Sequence, residues 1–287
     1  MPAERREGMD HEHHEWSPIS TRGKLSWPNN ARVALCVIIT LEHTEWEAPE
    51  GSFSADQAGG LGLRPFPDYP RFSHREYGHR VGIFRVLDTL QRLNIKATVA
   101  MDTQTAEGYP YLVKHCQDRG CEIIAHGVSG TQMISGQMST EEEADFIRSS
   151  LDALKKATGS APRGWFGTDY GESERTPGLL RQAGIDYLCD WVNDEQPYPM
   201  ANGLTALPTM LEMDDLFALS NRRVEIERYC QSMRDGFDTM YRDGEENGRL
   251  MTINLHPWLV GQPFRIGYLE EALAHIMGHD GVWAASG

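Results

Sequence analysis

The chain has 287 residues, 40% of them hydrophobic and 24% charged, which is enough apolar content to bury a core of ordinary size. A formal net charge of -15 repels nucleic-acid phosphates and anionic membrane surfaces, and no apolar run approaches the roughly 20 residues of a membrane span. The expected partner is therefore a small molecule, with no nucleic acid and no membrane.

The opening stretch MPAERREGMDHEHHEWSP is polar and lacks the apolar segment of a secretory signal, so residues 1–26 read as a loose arm on a cytoplasmic protein. Its HEHHE tract at 11–15 looks like a metal-binding sequence, but on an unanchored arm it is expected to be solvated. The five cysteines, Cys36, Cys116, Cys121, Cys189 and Cys230, are odd in number and form no CxxC pair, so reduced thiols are expected.

Residues 27–287 read as one domain. Its first element is a strand over 33–41, closing on the stretch ITLEHTEWE with Glu42 and His43 just beyond it. The segment 48–78 follows, rich in glycine and proline and without periodicity. It reads as a long loop leaving the carboxyl end of the sheet, serving as a substrate lid, a subunit contact or an insertion. Ile83, Leu87 and Leu90 then predict a helix over 79–93, followed by strands over 97–101 and 122–125. A helix over 141–158 is bounded by the capping-box spacing of Ser139 and Glu142 and by Gly159. Further strands are expected at 164–166, 185–189, 205–208, 251–255 and 282–285, with a helix over 224–241 carrying Ile226, Cys230, Met233 and Phe237 on one face. Alternating strands and helices argue for a parallel sheet covered by helices, as a barrel or an open sheet.

Three histidine-bearing stretches stand at the ends of predicted strands: LEHTEW with Glu42 and His43, IIAHG with His126, and INLHP with His256. In a parallel sheet such ends converge, so carboxylate and imidazole can exchange protons with a water and a leaving nitrogen. Each histidine alone is as well read as a structural residue bonded to a backbone carbonyl. In CDWVNDEQPYP, Asp190 is a candidate for orienting an imidazole, and Trp191 and Tyr198 for walling a ring, unless the loop is simply pinned by its tryptophan. His275 and His279 read as surface residues.

The segments ARVALCVIITLEH, YGHRVGIFRVLDTLQRLNIKATVAM, CEIIAHG, APRGWFG, LLRQAGIDYLCDW and INLHP resemble, in that order, the polysaccharide deacetylase (NodB-homology) superfamily over roughly 27–285. YGHRVG and DWVNDEQPY look like its allantoinase and cyclic imidase branch. The resemblance implies a distorted (β/α) barrel and hydrolysis of a carbon-nitrogen bond. In the deacetylases the first strand ends in paired aspartates, a base and a metal ligand; those positions are Glu42 and His43 here. A histidine followed four residues later by another completes the metal site. His126 matches the first, but the second is Gly130.

The resemblance thus implies opening of a small cyclic amide or imide without a metal. Glu42 would act as base and His256 as acid, while His126 and His43 polarise the carbonyl. Asp190 would support an imidazole, Trp165, Trp191 and Tyr198 would contact the substrate, and Arg80 would anchor the substrate or Glu42. The alternatives are a deacetylase whose divalent metal, such as zinc, sits on Glu42, His43 and His126, and a catalytically silent ligand-binding barrel. Members of the branch assemble, so a homo-oligomer is expected.

Overall fold

In a computed structural model that describes residues 10–47, 49, 52 and 67–287, strand β1 (Val33–Leu41) is buried along its whole length. Its odd residues Val33, Leu35, Val37, Ile39 and Leu41 join a large apolar cluster with helix residues such as Leu87 and Leu90. Ala34, Cys36 and Ile38 join a smaller cluster with Ala100, Ile124, Phe166, Cys189 and Leu250. Successive strand side chains point to opposite faces, so the two clusters are two faces of one sheet. The smaller cluster fills the inside of a curled sheet, and the larger lies between that sheet and its helices.

The other strands are β2 (Ala97–Met101), β3 (Glu122–Ala125), β4 (Gly164–Trp165), β5 (Tyr187–Leu188), β6 (Tyr198–Pro199), β7 (Thr205–Ala206), β8 (Arg249–Leu255) and β9 (Val282–Ala284). They run in the order β6-β7-β5-β4-β3-β2-β1-β8, with β9 paired to the start of β1. All pairings are parallel except β6 with β7. The gap between β7 and β8 is closed by the chain that follows β7. The Thr252 hydroxyl donates to the Pro208 carbonyl at 2.9 Å and accepts from the Met210 amide at 3.0 Å, and Asp214 forms a single parallel bridge with Asn254. This is the expected distorted (β/α) barrel.

The helices are α1 (Tyr69–Tyr77), α2 (Ile83–Arg92), α3 (Thr103–Gly108), α4 (Pro110–Asp118), α5 (Thr140–Thr158), α6 (Thr176–Gln182), α7 (Ile226–Asp243), α8 (Pro257–Val260) and α9 (Ile266–Met277). The α5 capping box forms as expected. The Ser139 amide donates to Glu142 at 2.7 Å, the Glu142 amide donates to the Ser139 hydroxyl at 3.2 Å, and Gly159 closes the helix at φ 81°.

Two expectations about elements of the domain are corrected, and a third about the arm. The supposed loop over 48–78 ends in α1, whose first turn is set by Pro70 and by Asp68 accepting from the Arg71 amide. The lid reading of that segment otherwise falls on 48, 50–51 and 53–66, which lie outside the described residues. The helix expected from 79 begins instead with a widened π turn, Gly78–Gly82, ahead of α2.

The arm expected to be loose and solvated is anchored from His11 onward. The His13 carbonyl accepts from the Ala201 amide at 2.8 Å, Arg22 pairs with Asp194, and the rings of His11, His13 and His14 surround Trp191 at centroid distances of 6.0, 5.5 and 5.3 Å. The HEHHE tract is thus partly buried, because Trp191 offers it an aromatic surface. All five cysteines carry free thiols. No described helix is long and apolar enough to cross a membrane.

The widened turn rests directly on α8. A methyl group at Gly82 would stand 2.0 Å from the Pro257 carbonyl oxygen, so only glycine allows the approach. Gly82→Ala is expected to lower stability by roughly 1–3 kcal/mol, seen as a lower urea midpoint with an unchanged slope.

Candidate active site

The interior series Ala34, Cys36, Ile38 of β1 continues through Thr40 to Glu42, one step past the strand. Equivalent positions are His126 after Ile124 on β3, Phe166 at the end of β4, and His256 after Leu250, Thr252 and Asn254 on β8. Alternation thus lifts four side chains to the carboxyl rim of the sheet, where parallel α/β folds bind ligands. Glu42, His126, Phe166 and His256 line one cleft, together with Thr40, Arg71, Arg75, Gly130, Asp169, Tyr170, Asp214 and Asn254.

Glu42 is 8% exposed and accepts from Arg75 Nη1 at 2.9 Å. Burial alone would raise its pKa. His126, Arg75 and His256 outweigh burial and hold the carboxyl at about 2, so Glu42 is anionic at neutral pH. Its other oxygen lies 3.6 Å from His126 Nε2. His126 Nδ1 faces the Phe166 carbonyl at 2.6 Å, so that nitrogen carries the proton in the neutral ring. Among the described residues Nε2 is buried without a hydrogen-bond partner and faces Glu42. Arg75 is itself fixed by its guanidinium lying 3.9 Å over the Trp258 ring.

His256 is tied to Asp215 twice. Its amide donates to Oδ1 and Oδ2 at 2.9 and 3.0 Å, and its Nδ1 donates to Oδ1 at 2.7 Å. Burial works against a charged imidazole here, but Asp215, with Asp214 and Glu42 behind it, pushes the His256 pKa up to about 9. His256 is therefore an imidazolium at neutral pH, with Nε2 left for a ligand in the cleft. Below it, Thr40 donates to Asn254 Oδ1 at 2.8 Å, and Asn254 and Tyr170 both donate to Asp214 Oδ2 at 2.8 Å. This network fixes the floor of the cleft.

The remaining sequence candidates lie elsewhere. His43 has the opposite parity to Glu42, and its ring turns toward Tyr109, Phe72 and His79 at 5.9, 6.2 and 6.5 Å. Trp165 shares the outward parity of Ala125, its register partner, and is wholly buried in the outer core; Phe166 takes the cleft position. Arg80 is 72% exposed and pairs with Glu76, whereas Arg75, one helical turn earlier, reaches Glu42. Trp191 and Tyr198 hold the arm, Tyr198 through a 5.0 Å ring contact with His14.

Asp190 does not reach an imidazole. It accepts from the Gly167 amide at 2.7 Å, and burial beside Glu172 pushes its carboxyl well above the usual range while Glu172 rises to about 7. Asp215 fills the orienting role. Sequence reasoning missed Arg75 and Asp215. Asn254 was within reach, since it stands two residues before His256 on the same strand.

Residues 76–188 match the polysaccharide deacetylase family model. The chain is 30% identical over 302 residues to a Schizosaccharomyces pombe protein provisionally named a polysaccharide deacetylase, covering 94% of this chain and 91% of that one. It is 26% identical over 261 residues to the Helicobacter pylori peptidoglycan deacetylase, covering 78% and 88%. In fold it is similar to PuuE allantoinase, with a TM-score of 0.84 over 93% of this chain and 91% of that one at 23% identity. The chain belongs to the polysaccharide deacetylase family and is a hydrolase of carbon-nitrogen bonds other than peptide bonds.

Glu42 and His256 each make stability depend on pH. Glu42 is depressed from 4.5 to about 2, so its contribution is complete above 4.5 and is lost as pH falls toward 2. His256 is raised from 6.5 to about 9, so its contribution is complete below 6.5 and is lost as pH rises through 9. In Asp215→Asn the His256 imidazole is expected to titrate well below 9 by NMR, and the alkaline loss of stability should shrink accordingly.

Proposed function

We propose that the enzyme opens the carbon-nitrogen bond of a small cyclic amide or imide by acid-base chemistry of its own side chains. The observation that carries this reading is the pairing of an anionic Glu42 with Arg75, in the same cleft as an imidazolium at His256. Glu42 Oε2 and His126 Nε2 together hold a water, and Glu42 takes its proton as the oxygen adds to the ring carbonyl. Arg71 and Arg75, which both line the cleft, supply positive charge for the developing oxyanion. His256 Nε2 then delivers its proton to the ring nitrogen, the carbon-nitrogen bond breaks, and the product carries a new carboxylate.

The deacetylases of the family imply a divalent metal, and the described residues of this cleft do not fit one. A catalytic zinc takes three protein ligands and an open position. Among the described residues, His126 Nε2 is an unpartnered imidazole nitrogen, but the Glu42 carboxylate beside it already carries the Arg75 cation. A Cβ at Gly130 would stand 3.0 Å from Glu42 Cδ, so the longer Glu42 side chain occupies the space that a histidine there would enter. Asp214, Asp215 and His256 have ligand atoms within 4.8 Å of one another, but Asp214 already accepts from Tyr170, Asn254 and the amides of Leu216 and Phe217, and Asp215 from His256 Nδ1 and its amide. No step is therefore assigned to a metal.

The names of the two relatives favour a second reading, removal of an acetyl group from an N-acetylated sugar. Metal-stripped protein offered succinimide, hydantoin and allantoin separates the two. Ring opening is expected as a mass gain of one water, and Glu42→Gln should reduce it by roughly 100-fold or more. Acetate release from N-acetylated sugars that appears only with added zinc, with no ring opening, would replace this reading by the second.

A further inference from the structure

The two surface histidines near the end of the chain, unused by the catalytic cleft, are brought together with an acid from another helix. His275 lies in the last turn of α9 and His279 four residues on, while Asp238 comes from α7, which packs against α9. One ligand atom from each lies within 4.8 Å of the other two. We propose that Asp238, His275 and His279 form a binding site for a borderline divalent transition-metal ion such as zinc or nickel, clipping α7 to α9 outside the catalytic cleft.

The hydrogen bonding sets up the donors. His279 Nδ1 faces the His275 carbonyl at 2.8 Å, which keeps the proton on Nδ1 and presents Nε2 as a lone pair. His275 Nε2 meets Asp238 Oδ1 at 2.7 Å, so imidazole and carboxylate already share one point in space. An ion entering there requires the His275 proton to move from Nε2 to Nδ1, a tautomer change open to a neutral ring. The rings are held by aromatic neighbours: Phe237 contacts His279 at 5.0 Å and His275 at 5.9 Å, and Tyr241 contacts His279 at 5.1 Å.

Two imidazoles and one carboxylate make a three-ligand set with an open position for water, suited to zinc. Asp238 and His275 are 54% and 34% exposed, so an ion can reach them. The site also lies at a helix carboxyl end, where the backbone dipole favours a cation. It differs in this from the buried Asp214, Asp215 and His256 group, whose donors are committed. One consequence concerns the family's metal chemistry: zinc found in the purified enzyme need not sit at the catalytic cleft.

The test is calorimetric titration of chelator-stripped full-length protein with zinc chloride alone, with thermal unfolding read in parallel. One zinc per chain is expected at micromolar concentration, with a rise in unfolding temperature. His279→Ala and Asp238→Asn should each weaken binding at least as much as the roughly tenfold typical of an outer ligand contact, and remove the thermal gain. Glu42→Gln and a triple alanine variant of His11, His13 and His14 should bind as the parent does. Absence of binding in the parent, unchanged binding in His279→Ala and Asp238→Asn, or loss confined to the arm or Glu42 variants would overturn the proposal.

Discussion

The ion pair between Glu42 and Arg75 is the constraint to which the rest of the cleft conforms. Both side chains are nearly enclosed, at 8% and 11% exposure, and removing one partner of such a pair leaves an uncompensated buried charge at a cost of roughly 3–5 kcal/mol. The pair therefore fixes α1 against the carboxyl end of β1. Trp258 holds the other face of the guanidinium, which draws in α8, and α8 begins at the residue after His256. The close contact of Gly82 with Pro257 then seats the widened turn ahead of α2. One contact thus couples Glu42, His256 and the elements that carry them.

The same pair explains the division of charge. Glu42 and His256 line one cleft, yet their environments push their pKa values in opposite directions, to about 2 and about 9. A guanidinium and two imidazoles favour the carboxylate, while Asp215 favours the imidazolium. Groups whose pKa values are driven apart in this way can divide acid and base roles. A carboxylate held so low is a weak base in isolation. In the proposed reaction it holds and orients a water with His126, and it gains strength as the Arg75 charge is drawn toward the developing oxyanion.

Much of this was readable from the chain alone. Strands β1, β2 and β3 were expected with the observed limits, because long apolar runs flanked by polar residues have few other readings. The convergence of Glu42, His126 and His256 followed from their places at strand ends. What could not be read depended on register or on distant contacts. Trp165 and Phe166 are adjacent aromatics, and only the pairing of Ala125 with Trp165 decides which of them faces inward. Asp215 meets His256 across 41 residues of sequence, from a stretch with no strand or helix period of its own. Arg75 sits in a helix too short and too polar to show periodicity, so Arg80, in a recognisable motif, drew attention instead.

The proposal that Arg75 stands in place of a metal as the partner of Glu42 is tested most directly by anomalous scattering at the zinc edge from crystals soaked in excess zinc. The predicted result is no anomalous peak within bonding distance of Glu42 and His126, with the Arg75 guanidinium still on the carboxylate. A zinc ion bound by Glu42 and His126, with Arg75 displaced from the cleft, would contradict it.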